Sequence, residues 1–249
     1  MAEKKYIIEI ATSDFATTKS AVEGGADRIE LCANLAEGGT TPSFGTIKLC
    51  RKEFNIDIYP IIRPRGGDFL YTDAEFNIML EDVKRCKKFN CDGIVTGLLN
   101  SDGSIDIKRT SFLLNVAYPM GVTFHRAFDR CKDPFQALEQ LIEMGCERIL
   151  TSGQQPSVVD GVELVAELNR IADDRIIIMP GSGVRKENIN MLAKKTGCVE
   201  FHSSLRGKEP GMMQFIHHAF KDQGDCYMNN SIHSNDIRIL RDELQKKIN

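Results

Sequence analysis

The sequence predicts an α/β fold, a single (β/α)8 TIM barrel spanning residues 1–249. Three observations point to it. Eight short β-rich runs alternate with helix-length amphipathic stretches. One helix-to-strand connector recurs four times. The length of 249 residues matches the roughly 250 residues of such a barrel.

The β-rich runs lie at 6–10, 28–32, 56–63, 93–96, 122–125, 148–151, 175–179 and 199–203. Stretch 76–89 places Phe76, Met79, Leu80, Val83 and Cys86 at helical spacing, and 135–144 does the same with Phe135, Leu138, Leu141 and Ile142. Strands alternating with helices read as parallel, right-handed βαβ units covered on both faces. The connectors are Gly25-Ala26-Asp27-Arg28-Ile29, Asn90-Cys91-Asp92-Gly93-Ile94 and Gly145-Cys146-Glu147-Arg148-Ile149, echoed by Gly197-Cys198-Val199-Glu200-Phe201. In each, Gly or Asn closes a helix in the left-handed conformation, a small residue follows, and a strand begins. Such repetition argues for rotational symmetry. An open doubly wound sheet is the alternative, but no Gly-x-Gly-x-x-Gly follows the first strand.

Residues 204–230 hold Gly207, Pro210, Gly211, Gly224 and Asn229-Asn230, and read mainly as a long loop with a short helical turn at 215–220. Loops of this length serve as lids, partner contacts or ordered flaps. Ser234 or Asn235 caps a final helix at 235–248 bearing Ile237, Leu240, Leu244 and Ile248.

Hydrophobic residues make up 42% and charged residues 27%, with a formal charge of -3, which excludes disorder, collagen and coiled coil. The near-neutral balance gives no bulk hold on nucleic acid or anionic membrane. Glu9 interrupts the N-terminal apolar run before it reaches signal-peptide length, and no stretch approaches 18 apolar residues. A cytoplasmic location is expected, with the eight cysteines as free thiols.

Chemistry in a barrel sits at the C-terminal strand ends, and here those ends are polar. Glu9, Glu30, Arg63, His125 and His202 are the catalytic candidates, since paired carboxylates with histidine equip a site for acid–base work or for a metal. A Glu30–Arg63 salt bridge between neighbouring strands is the plain structural alternative. In Arg63-Pro64-Arg65-Gly66-Gly67-Asp68, guanidinium forks bind carboxylate or phosphate and glycines admit a close backbone approach, which makes Arg65 and Asp68 binding candidates. The alternative there is a turn whose arginines pair with Asp68 and Asp73. Arg126 and Asp129 follow His125 within one turn, with Asp129 placed to fix its tautomer. Thr151 and Ser152 end the sixth strand. Gly181, Gly183 and Ser203 lie in the loops after strands seven and eight, where barrels often hold phosphate.

Cys91, Cys146 and Cys198 fill the connector slot that Ala26 takes, which argues packing; Cys50 and Cys86 fall on apolar faces. Cys32 stands apart at the open end of strand two, beside Glu30.

Six segments carry a resemblance: 23–32 (EGGADRIELC), 37–43 (EGGTTPS), 61–71 (IIRPRGGDFLY), 122–129 (VTFHRAFD), 148–153 (RILTSG) and 200–203 (EFHS). Together they resemble the CutC family from about residue 6 to 205. The resemblance implies a TIM barrel, a cytoplasmic location and a role in copper homeostasis. It also implies Cu(I) binding in some members through two cysteines, one after strand one and one ending the RIELC motif. Cys32 matches the second position, but Ala11 stands at the first.

Two functional readings follow. One is a copper-homeostasis protein using Cys32 for Cu(I). The other is an enzyme acting on a small anionic or phosphorylated substrate at the barrel mouth. A third treats the barrel as a scaffold or homo-oligomer, with 204–230 as a contact surface.

Overall fold

The structure, a computed structural model, describes residues 6–221, 224 and 226–246. Eight parallel strands form the barrel: β1 (Ile7–Thr12), β2 (Arg28–Leu31), β3 (Asp57–Pro60), β4 (Gly93–Thr96), β5 (Gly121–Phe124), β6 (Arg148–Thr151), β7 (Ile177–Pro180) and β8 (Glu200–Ser203). The helices between them are α1 (Phe15–Glu23), α2 (Phe44–Glu53), α3 (Asp73–Lys88), α4 (Ile107–Ala117), α5 (Pro134–Met144), α6 (Val162–Ala172) and α7 (Ile189–Thr196). Hydrogen bonds run in the orders β3-β2-β1-β8 and β4-β5-β6-β7. A parallel bridge from Ile61 to Val95 joins β3 to β4, and β7 packs beside β8, so the ring closes.

The helices form for local reasons. Asp14 and Thr72 each build a capping box at the starts of α1 and α3, and Asp133 caps α5 ahead of Pro134 at its first turn. Gly25, Asn90, Gly145 and Gly197 all hold positive φ at the predicted connectors, which reverses the chain from helix into strand. Cys91, Cys146 and Cys198 are buried there.

Strand parity sorts the core. Ile8, Ile10, Ile29, Leu31, Ile58, Phe124 and Phe201 face outward and are buried with Met79, Val83, Leu138 and Leu141 of the helices. The alternate residues fill the barrel, and many of them are charged.

The structure shifts several boundaries. β1 runs two residues further than expected. β7 begins at Ile177, and Arg175 pairs with Glu139 on the outside. Phe135 is exposed. Segment 204–230 is mainly irregular, but it carries a ribbon that the sequence did not announce: β9 (Gly207–Pro210) and β10 (Met228–Ser231) pair antiparallel, with a short 3-10 turn at His218–Phe220. The strands were hidden because Gly-Lys-Glu-Pro lies wholly exposed and carries no apolar alternation. The last helix, α8, spans Ser234–Gln245; Ile248 lies outside the described residues. No described helix is long and apolar enough to cross a membrane.

Candidate functional site

The barrel is filled from below by an ion network. Arg28 donates to Glu9 at 2.5 Å and to Glu200 at 2.6 Å. Arg148 donates to the same Glu200 oxygen at 2.8 Å and reaches Glu147 at 3.0 Å. Both guanidiniums lie 5.4 Å from the centre of the Tyr59 ring, whose hydroxyl donates to Glu147. Burial works against the Arg28 charge, but Glu9 and Glu200 outweigh it and keep the group firmly protonated. Sequence reasoning missed Arg28 and Arg148 as members of this network, because each sits at the start of a strand, away from the mouth. Their recurrence in the connector motif was the available signal.

One layer up, Glu9 and Glu30 flank His202. Burial raises the Glu9 carboxyl, but Arg28, His202 and Arg148 outweigh it and hold it well below the carboxylate range. Glu9 is therefore ionised and accepts from His202 Nδ1 at 2.8 Å, while His202 Nε2 stands 3.6 Å from Glu30. Burial pushes Glu30 up to about 7, with Glu9 pushing the same way and His202 opposing. Burial opposes charge on His202, but the Glu9 hydrogen bond and both carboxylates raise it. Glu30 and His202 thus stand as a carboxyl–imidazole pair in which both groups are raised above their ordinary values.

Above this pair opens a cavity of about 700 Å³ at the C-terminal strand ends. Glu30, His202, Arg63, His125, Arg126, Asp129, Gly183 and Ser203 line it, so eight of the sequence candidates converge there. Glu9 does not: it is fully buried beneath the mouth. Arg65 and Asp68 also lie outside the lining. Arg65 pairs with Glu75 at 2.5 Å and Asp68 at 3.0 Å, so the self-paired turn is what forms, with Glu75 in place of Asp73. Thr151 and Ser152 are buried behind the wall, where both hydroxyls donate to Asp129. Gly181 makes room: a Cβ there would stand 2.4 Å from Leu150 and 3.3 Å from His202.

Arg63 does not pair with Glu30. It is 3% exposed, and its acceptors are the backbone carbonyls of Glu37, Gly39 and Gly67. His125 does not meet Asp129 either. Its Nδ1 accepts from the Ala127 N–H at 3.1 Å, which leaves the proton on Nε2. Burial and the Arg63 charge push its pKa down to about 3, so the imidazole is neutral. Asp129 instead binds Arg126 at 2.7 Å.

The rim adds charge that the sequence did not flag. Arg130 stacks on Phe69, Arg185 donates to the Val184 carbonyl beside Ser203, and Arg206 donates to the Leu35 carbonyl. Among the described residues, no carboxylate pairs with Arg63, Arg130, Arg185 or Arg206. A second cleft of about 540 Å³ lies against the β9–β10 ribbon, and no carboxylate or histidine lines it. Of these two clefts, only the first is lined by carboxylates and histidines.

Two metal arrangements can be weighed. Glu9, Glu30 and His202 offer ligand atoms within 4.8 Å of one another. That is an oxygen–oxygen–nitrogen set, which suits a hard or borderline divalent cation and not Cu(I). Cys32, the copper candidate, is buried away from the cavity lining, packed with Tyr59, Ile61 and Val95. Burial, Glu30 and Glu9 all raise its thiol, so it is protonated. Ala11 lines the cavity where a second thiol would stand. A two-thiolate Cu(I) site does not fit these residues.

The family model described as "CutC family" matches residues 6–207. A CutC family protein from Chromobacterium violaceum is 46% identical over 243 residues, covering 96% of this chain and 98% of the relative. One from Parabacteroides distasonis is 53% identical over 212 residues, covering 85% and 87%. A CutC crystal structure from Streptococcus agalactiae superposes with a TM-score of 0.76 at 34% identity, covering 79% of this chain and 97% of that one. Thiamine phosphate pyrophosphorylase from Pyrococcus furiosus reaches a TM-score of 0.59 at 12% identity over 99% of this chain and 98% of that one, a likeness of fold alone.

Proposed function

The chain belongs to the CutC family, and we propose that its barrel mouth binds a small anionic or phosphorylated molecule on which Glu30 and His202 carry out proton transfer. One observation carries this reading: four guanidiniums without carboxylate partners among the described residues surround a cavity floored by the Glu30–His202 pair. Unpaired positive charge at a concave site draws and orients an anion. Glu30 beneath it, pushed up to about 7, has the acidity that general acid–base catalysis at neutral pH needs. Arg185, Gly183 and Ser203 hold the phosphate or carboxylate end, and Arg63 holds the end nearer the pair. Glu9 and Arg28 position His202 without touching substrate.

Binding of inorganic phosphate, 2-phosphoglycolate and citrate tests the reading by thermal shift and calorimetry. At least one should bind saturably, and Arg185→Ala with Arg206→Ala should weaken it at least fivefold. No binding by any of the three would overturn it.

The second reading is Cu(I) handling. The Streptococcus agalactiae relative is described in terms of copper homeostasis, and Cys32 lies directly beside Glu30, its Sγ 4.0 Å from the Glu30 carbonyl oxygen. The support is one protonated thiol. Titrating reduced protein with Cu(I) against a competing chelator tests it, and unchanged affinity in Cys32→Ser removes the site. Eight free thiols, seven of them buried, support a cytoplasmic setting for either reading.

A further inference from the structure

Three buried polar side-chain atoms without hydrogen-bond partners belong to one corner of the barrel wall: Arg63 Nε, Tyr71 Oη and His125 Nε2. Their residues are 3%, 4% and 4% exposed. The Phe69 ring joins two of the three, His125 and Arg63. Its centre lies 4.9 Å from that of His125 and 5.0 Å from Arg63 Cζ. Arg63 lies against both of the others: its charge lowers His125, and its charge and its N–H reach to the Tyr71 hydroxyl oppose the burial that raises Tyr71 to about 12.

Buried donors are nearly always satisfied, so such a group calls for an account. The proton inventory is informative. Arg63 Nε can only donate. His125 has its Nδ1 lone pair engaged and donates from Nε2. Tyr71 Oη can accept from Arg63 and still donate its own proton onward. One of the three carries a full positive charge with no carboxylate beside it. A water molecule would accept two of these bonds, but it would bring a proton in excess and leave the charge uncompensated. An oxygen of a carboxylate or phosphoryl group accepts from all three and neutralises Arg63.

We infer that Arg63, Tyr71 and His125 form a closed subsite for one oxyanion group of the ligand, covered by Phe69. The inference rests on the anion reading above and deepens it by naming where the inner charged end goes. Phe69 follows Gly66-Gly67, and Gly67 sits at φ +83, a conformation that glycine adopts freely. Rotation about that pair lifts the phenyl ring and opens the three donors to the cavity, which Phe69, Arg63 and His125 already line. His125 then meets the anion as a neutral donor, and its tautomer needs no change.

The test is the 15N signal of the His125 ring in the full chain, assigned by its loss in His125→Gln. Inorganic phosphate and formate, the smallest carboxylate, are titrated separately. With at least one of them the Nε2–H resonance should shift saturably. Tyr71→Phe should weaken that binding at least threefold, and Phe69→Ala should tighten it at least threefold, with thermal unfolding confirming that both variants fold. A His125 signal that stays fixed while phosphate binds at Arg185 and Arg206 would overturn the subsite and spare the wider reading. Silence at both places would overturn both. Ordered water alone against the three donors, in crystals grown in phosphate, would also overturn the subsite.

Discussion

His202 donates through Nδ1 to Glu9 at 2.8 Å and turns Nε2 toward Glu30 at 3.6 Å, so one imidazole links the ionic floor of the barrel to its open mouth. The two carboxylates differ because their surroundings differ. Glu9 has Arg28 at 2.5 Å and stays ionised. Glu30 is equally buried without a guanidinium partner and holds its proton to about 7.

The first prediction concerns that difference. The folded pKa of Glu30 lies above its unfolded value of 4.5. Between pH 4.5 and about 7 the folded state keeps a proton that the unfolded state releases, so this group's contribution to stability falls as pH rises. His202, also raised, acts in the same direction. Glu30→Gln removes the Glu30 part. The variant should be more stable than the parent at pH 8 by about 2–3 kcal/mol, with the gap closing by pH 4.5. Urea unfolding across that range measures it; a variant less stable at pH 8 would contradict the assignment.

The second concerns the floor. Arg28 is 4% exposed and neutralises both Glu9 and Glu200. Arg28→Met leaves two buried carboxylates short of a partner and should cost about 3–5 kcal/mol. Adding Glu9→Gln should recover part of that loss, because the two changes act on one network. Equilibrium denaturation of both single variants and the double variant supplies the cycle. Strict additivity would mean that the pair is not coupled.

The third is the acid limb. His125 drops from 6.5 to about 3 in the folded state. Below pH 6.5 the unfolded chain takes up a proton that the folded chain refuses, so stability falls as pH falls toward 3. His125→Gln, which keeps an acceptor for the Ala127 N–H, should flatten this limb by several kcal/mol at pH 3.5. An unchanged slope would show that His125 is protonated in the folded state.

Much of this fold was legible in the sequence, and the reason is visible at the connectors. Gly25, Asn90, Gly145 and Gly197 each need positive φ, so backbone geometry wrote itself into residue type. Convergence of Glu30, Arg63, His125 and His202 followed from strand order. Their pairings did not. Arg63 bonds to three backbone carbonyls of loops 37–39 and 67, and no one-dimensional pattern encodes which carbonyls a loop will offer. Depth along the strand was equally hidden: Glu9 and Ala11 face the same interior, and Glu9 lies two residues beneath the mouth that Ala11 lines. Arg28 and Arg148 were read as connector residues when they fill the barrel.

The last prediction concerns the β9–β10 ribbon. Between its strands, Met212, Met213, Phe215 and Ile216 are exposed, at 97% for Met212. At the base, Ser231 and Ile232 are buried and Asn230 donates to Ser13. The ribbon is therefore anchored at its root and free of the barrel core at its tip. Exposed backbone with few packed contacts is where proteases cut first. Limited chymotrypsin treatment should cleave within 212–220 before any barrel site, since Met, Phe and the adjoining residues there are both accessible and suited to that enzyme. The nicked chain should stay folded with a thermal midpoint within about 3 °C of the intact protein, because the change costs well under 1 kcal/mol of core packing. Mass spectrometry of the fragments and a melting curve read both. Early cleavage inside β1–β8, or unfolding upon the nick, would mean that the ribbon packs on the barrel as part of its core.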